Sequence, residues 1–189
     1  VLSFLGRSHE ALADLRRALP AIRRSGDRVW EARTLNTRGE LLITLGDVNR
    51  AERDVRRAKQ IFTELDQQLG AMHALHNLGV LAFLRGDLPA CFNHYDRAAA
   101  GYAELGFASA DLVVNRCEAY LVAGLSGDAL DLVTSALAGP ALQARHRADL
   151  GLWRATAALA HGGLTTAAVA ARSARTLFAR QHRELWVLR

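Results

Sequence analysis

The 189-residue chain reads as an all-α solenoid built from antiparallel helix pairs, and three observations predict it. Glycines recur at near-even steps, at Gly6, Gly46, Gly86, Gly124 and Gly162, separated by 40, 40, 38 and 38 residues. Five positions after each stands a small residue (Ala11, Ala51, Cys91, Ala129, Ala167), and twelve after stands alanine (Ala18, Ala58, Ala98, Ala136, Ala174). Seven positions before the last four glycines comes a further small residue: Gly39, Gly79, Cys117 and Ala155. Self-similarity at such a period marks a repeat array in which each unit buries its apolar face on its neighbours. Small groups at matching sites on both helices of a pair let the backbones approach closely.

Each glycine follows one amphipathic stretch and precedes another, as a helix–turn–helix unit requires. An incomplete first unit contributes a helix at 7–25. Pairs follow at 29–45/48–67, 69–85/88–106, 108–123/126–138 and 142–161/164–181, and a further first helix starts near His182. The expected organisation is one solenoid over 1–189, with repeats near 29–67, 69–106, 108–138 and 142–181 and half-repeats at 1–25 and 182–189. In Gly46-Asp47 and Gly86-Asp87 a C-terminal glycine and an N-capping acid share one short turn. Larger residues fill the space between helices. Nine positions after the glycine come Leu15, Val55, Tyr95, Val133 and Ala171; sixteen after come Ile22, Phe62, Tyr102 and Phe178. Pro140 interrupts that last series and is expected to end its helix early. Val1–Leu5 reads as the tail of one helix and Leu185-Trp186-Val187 as the start of another. With no polar cap at either end and Met72 the only methionine, the chain reads as a piece of a longer protein.

Half of the residues are hydrophobic but only 6% are aromatic, so the core is expected to be Ala, Leu and Val. No apolar run approaches the ~18 residues of a membrane span. No positive region precedes the first residues, so no signal peptide is read there. Two cysteines, Cys91 and Cys117, are too few for a disulfide scaffold. A reduced, cytoplasmic setting is expected. The net charge of +5 is uneven: residues 1–60 carry 13 basic and 8 acidic side chains, 61–140 carry 3 and 9, and 141–189 carry 8 and 2. Of 24 basic residues only Lys59 is lysine, a composition that suits a GC-rich genome such as an actinobacterial one.

Catalytic and metal chemistry find little footing. His73 and His76 lie one helical turn apart without the third ligand a zinc site needs. Cys91 and Cys117 fall on small-residue packing positions with no paired histidine. The glycines sit at helix ends rather than after strands, so no phosphate-binding loop is present. Trp30, Trp153 and Trp186 read as packing residues. Arg50, Arg53, Arg56, Arg57 and Lys59 form the densest basic cluster, but Glu52 and Asp54 interrupt it and no aromatic residues interleave. It reads as a solvated helix face, as does the set Arg172, Arg175, Arg180 and Arg183, and nucleic acid is not an expected partner. No cofactor, metal or enzymatic activity is expected.

The phrases Asn77-Leu78-Gly79 and Gly86-Asp87-Leu88-Pro89-Ala90-Cys91 resemble tetratricopeptide (TPR) repeats, here longer than the ~34-residue basic unit. The resemblance implies a right-handed superhelix with a concave groove that takes a peptide or partner domain. It places Arg33, Asn36, Thr37 and Glu40 in the groove, then His73, His76, Asn77, Val80 and Phe83, then Asp111, Val114, Asn115, Glu118 and Leu121. Chaperone-binding TPR proteins clamp a C-terminal carboxylate with Lys, Asn and Arg. Asn36 and Asn77 match in type, but no lysine occupies these positions, and Asp111 and Glu118 would repel a carboxylate. A mixed groove suits an amphipathic helix or extended segment better. The run Leu84–Ala90 with His94-Tyr95-Asp96-Arg97-Ala98, and the end Ala174-Arg175, Leu177-Phe178 and Trp186-Val187, are similar to the TPR region of actinobacterial CHAT-domain proteins. In that family the repeats regulate a caspase-like domain. Two other readings stay open: the effector-sensing TPR region of a LuxR-type transcriptional regulator, and a self-associating array matched through its acidic middle and basic ends.

Overall fold

The computed structural model describes residues 7–139, 143–181 and 183, and among these every regular element is an α-helix. Their contacts form two compact units, Val1–Gly106 and Phe107–Arg189. The first holds α1 (Ser8–Ser25), α2 (Arg28–Thr44), α3 (Val48–Glu64), α4 (Gln68–Leu84) and α5 (Leu88–Glu104). The second holds α6 (Ala110–Val122), α7 (Ser126–Ala138), α8 (Ala144–Ala160) and α9 (Leu164–Arg180). Within each unit a helix packs on the next in sequence. In addition α2 touches α4, and α6 touches α8, so the first helices of successive pairs lie side by side.

Turn chemistry explains why the helices stop where they do. At the end of α2, Gly46 takes the left-handed conformation (φ 78°), its N–H donating to Ile43 C=O at 3.0 Å and the Asp47 N–H to Leu42 C=O at 2.9 Å. The Asp47 carboxylate then accepts from the Arg50 N–H at 3.1 Å, closing one helix and opening the next. Gly86 and Asp87 repeat the arrangement, with Asp87 accepting from the Ala90 N–H at 3.0 Å. The turns between pairs form a second series with the same backbone: Gly26 (φ 74°), Asp66 (φ 50°) and Gly106 (φ 63°). Asp66 is the only non-glycine residue with positive φ among those described, a conformation that costs an L-residue roughly 1–2 kcal/mol. This reversal ends α3 at Glu64, earlier than the pattern 48–67 suggested.

The small residues on the first helices are set by what faces them. A Cβ on Gly39 would lie 2.4 Å from Val55 Cγ2, and one on Gly79 would lie 2.4 Å from Tyr95 Cδ1. Val55 and Tyr95 are fully buried, each filling the space its glycine leaves. In the second unit Cys117 clusters with Ala129 and Ala157, all fully buried. The pattern slips by one in α9, where Ala171 is exposed and Ala170 and Ala174 carry the buried stripe. α7 ends at Ala138 and Gly139 is extended (ψ 139°), the backbone favoured before a proline. Pro140, Val1–Leu5, His182 and Leu185-Trp186-Val187 lie outside the described residues.

Ion pairs join the helices of the first unit. Arg38 on α2 grips the buried Asp54 on α3 with both guanidinium arms, at 2.6 and 2.7 Å. On α3, Glu52 accepts from Arg85 at 2.6 Å and from Arg56 at 2.7 Å, tying α3 to the end of α4. The Arg85 bond, with that to Arg56, holds the Glu52 carboxyl down at about 2, against an ordinary 4.5. No helix among the described residues is long and apolar enough to cross a membrane.

Two outcomes follow. Gly79→Leu lowers the melting temperature sharply, since overpacking costs about 1–3 kcal/mol or more, whereas Asn93→Leu on the exposed side of α5 leaves it nearly unchanged. Because the folded-state value of Glu52 is depressed, its stabilising effect is complete above about pH 4.5 and is lost as pH falls towards 2. Denaturant titrations across that window will show a shallower acid loss in Glu52→Gln than in the wild type.

Candidate functional site

A groove of ≈ 880 Å³ opens in the first unit. One wall is a face of α2 carrying Trp30, Arg33, Asn36, Thr37 and Glu40. The other comes from the α3–α4 turn and the first turns of α4, including Asp66, Gln68, Leu69 and His73, with Leu105 at the edge. Phe62 and the bare backbone of Gly70 meet at its base. A Cβ on Gly70 would come within 2.6 Å of the Phe62 ring, so glycine there keeps the ring in place.

The polar side of the groove is braced by amides from successive repeats. Asn77 Nδ2 donates to Asn36 Oδ1 at 3.1 Å and to Glu40 Oε1 at 3.0 Å, and Asn36 Nδ2 donates to the same Glu40 oxygen at 2.9 Å. Both asparagines are only 8% exposed. Buried amides require such partners, because an unmade hydrogen bond there costs about 1–3 kcal/mol. Asn36 is therefore structural as well as groove-lining, and its loss weakens the fold by about 1 kcal/mol. His73 Nδ1 lies 2.9 Å from the Tyr102 hydroxyl, which fixes the ring against α5. At the mouth, Arg33 lies over the Trp30 indole, 5.5 Å from its centroid.

Of the residues the sequence assigned to a groove, Arg33, Asn36, Thr37, Glu40 and His73 line this one. Asn77 stands behind it in the amide network. His76 is buried and meets Tyr95 edge to face at 5.7 Å, on another side of α4 from the cavity. Val80 and Phe83, further along α4, are half-buried and not part of the lining. Asp111, Asn115 and Glu118 lie on α6 in the second unit; Asp111 is exposed and the other two are half-buried. Val114 and Leu121 pack on the core of that unit rather than standing free.

Trp30 is the residue that sequence reasoning placed wrongly. It is 56% exposed at the groove mouth, whereas Trp153 does pack against the second unit's core. Asp66 and Gln67, which the sequence pattern places in the helix 48–67, and Gln68, which it leaves between helices, also line the groove. The signal for Asp66 was present: it occupies the position held by Gly26 and Gly106, 40 residues to either side.

The groove offers recognition chemistry. His73 and His76 have different neighbours, and among the described residues no group of three metal-ligating side chains converges. Burial pushes the thiols of Cys91 and Cys117 up to about 11, so both stay protonated at neutral pH.

This architecture of paired antiparallel helices is the tetratricopeptide-repeat fold. No family model and no curated protein matches the chain. Solved structures do. BtubC (BKLC) from P. vanneervenii superposes with a TM-score of 0.76 at 15% identity, covering 96% of this chain and 77% of that one. A putative kinesin light chain with nearly identical TPR-like repeats, from Podosopora anserina, gives 0.68 at 15% identity over 96% and 92%. YrrB, described as a TPR protein with an unusual peptide-binding site, gives 0.51 at 16% identity over 89% and 86%. At such identities the likeness is one of fold.

Native protein at neutral pH will resist alkylation by iodoacetamide at both cysteines, because each thiol is fully buried and protonated, and both will react once the chain is unfolded. Rapid native labelling of either would contradict the packing described.

Proposed function

We propose that this chain is a non-catalytic protein-interaction module that binds a peptide segment of a partner protein in the groove of its first unit. The observation carrying this reading is the groove itself. Exposed apolar groups (Trp30, Leu69 and Leu105) stand beside the exposed amides of Gln67 and Gln68 and the hydroxyl of Thr37. Apolar groups supply affinity by leaving water, and amides can answer the N–H and C=O groups of a peptide main chain. Since α2 to α5 hold these side chains in place beforehand, little order has to be imposed on the receptor when the peptide arrives. The repeat-protein fold, and the peptide-binding site named for YrrB, support the same reading.

Charge narrows the peptide. Glu40 and Asp66 outnumber Arg33 in the groove, which favours a segment carrying an apolar anchor next to a basic residue. Finer assignments travel with this proposal. The module is read as a regulatory arm of a CHAT-type, caspase-like protein in an actinobacterium. A sensor region of a LuxR-type regulator and a self-associating array are the alternatives. The neighbouring reading frame separates the first two, and light scattering across a salt series separates the third.

Panning the purified chain against a random peptide library tests the binding reading. Selected peptides will combine an aromatic or large aliphatic residue with lysine or arginine. Trp30→Ala will weaken their binding by about tenfold or more, as loss of an interface tryptophan does, with little change in melting temperature because the ring is exposed. Undiminished binding by Trp30→Ala would move the site elsewhere.

A further inference from the structure

A second cavity, of ≈ 210 Å³, lies among α1, α2 and α3 and shares no lining residue with the groove. Four arginines from three helices border it: Arg16 of α1, Arg38 of α2, and Arg50 and Arg53 of α3, with Asp54 and Leu42. Two of the four are already matched. Arg38 is held by Asp54 through both arms, and Arg50 Nε lies 2.8 Å from Asp47. Arg16 and Arg53 have neither a hydrogen bond nor an ion pair among the described residues. The cavity thus carries two uncompensated positive charges, brought together from helices far apart in sequence.

The rest of the basic cluster on α3 behaves differently. All four α3 arginines, Arg50, Arg53, Arg56 and Arg57, are exposed, but Arg56 pairs with Glu52 and Arg57 donates to Gln60 at 2.8 Å, both outside the cavity. Arg50 and Arg53 instead meet Arg16 and Arg38 around a concavity, where low-dielectric walls concentrate the field. Guanidinium forks match tetrahedral oxyanions, offering paired N–H donors to paired oxygens. The volume has room for several waters, and so for one hydrated phosphate group. Arg38, immobilised by Asp54, gives the site a fixed wall, while Arg16 and Arg53 are free to close on a ligand.

We infer that this cavity binds a phosphate dianion, either the free ion or the monoester of a phosphorylated side chain in a partner. It is independent of the peptide groove, and one site can fail without the other.

Arg16 and Arg53 are exposed and make no hydrogen bond or ion pair among the described residues, so replacing them leaves folding intact and the test clean. The purified chain is melted in sodium phosphate and in sodium chloride at matched ionic strength and pH 7.5. Phosphate will raise the wild-type melting temperature above its value in chloride. Arg16→Gln and Arg53→Gln will each lose most of that difference, whereas Arg57→Gln, which removes the same charge from outside the cavity, will keep it. No phosphate effect, or an equal effect in all three variants, overturns the proposal. The source is then identified with a fluorescent phosphoserine peptide and its serine twin. Phosphate-dependent peptide binding that falls about tenfold in Arg53→Gln, as loss of a charge-assisted bond does, assigns the site to a phosphorylated partner. Stabilisation by inorganic phosphate with no preference for the phosphopeptide assigns it to the free ion.

Discussion

The close approach of paired helices governs the rest of the structure. Gly39 against Val55 and Gly79 against Tyr95 leave no room for even one added methyl group. A first helix pressed so tightly to its partner must direct its remaining polar side chains away from that seam. Because α2 also touches α4, those side chains meet their counterparts from the next repeat. The contact between Asn36 and Asn77, 41 residues apart, is a direct product of that arrangement. The groove is thus a consequence of how the core is packed, and substitutions at the seam will be felt in it.

Two features make the groove wall rigid without making it inert. The amides of Asn36 and Asn77 are satisfied by each other and by Glu40, so the wall is ordered before any ligand arrives. Around them, Trp30, Leu69 and Leu105 stay in contact with water. Asp66 adds a carboxylate at the rim from a backbone conformation that glycine would adopt with less strain.

Most of the helical architecture was legible in the sequence, because glycine rhythm and small-residue spacing are direct imprints of turn geometry and helix contact. The intra-pair turns at Gly46 and Gly86 could be read with their capping aspartates. The inter-pair series Gly26, Asp66 and Gly106 was harder to see, since its middle member is not glycine. Burial in α9 slipped by one residue because alanines stand at 167, 168, 170, 171 and 174, and a stripe of identical residues defines no face. Five groove-lining residues were readable from repeat register. Trp30 was not, because a single aromatic carries no periodic signal and exposure is decided by neighbours. Nor could the sequence show that Arg16 and Arg38 join two members of the α3 basic run, since that depends on three helices meeting.

The most direct test of the central claim is hydrogen–deuterium exchange on the chain with and without a library-selected peptide. Binding in the groove predicts slowed exchange in the α3–α4 turn and the first turn of α4, residues 65–71, above all at Gln68, Leu69 and Gly70, whose N–H groups precede the first intrahelical hydrogen bond of α4. The buried seam around Gly79 and Tyr95 would stay as it was. Protection centred instead on the second unit, with residues 65–71 unchanged, would contradict the account.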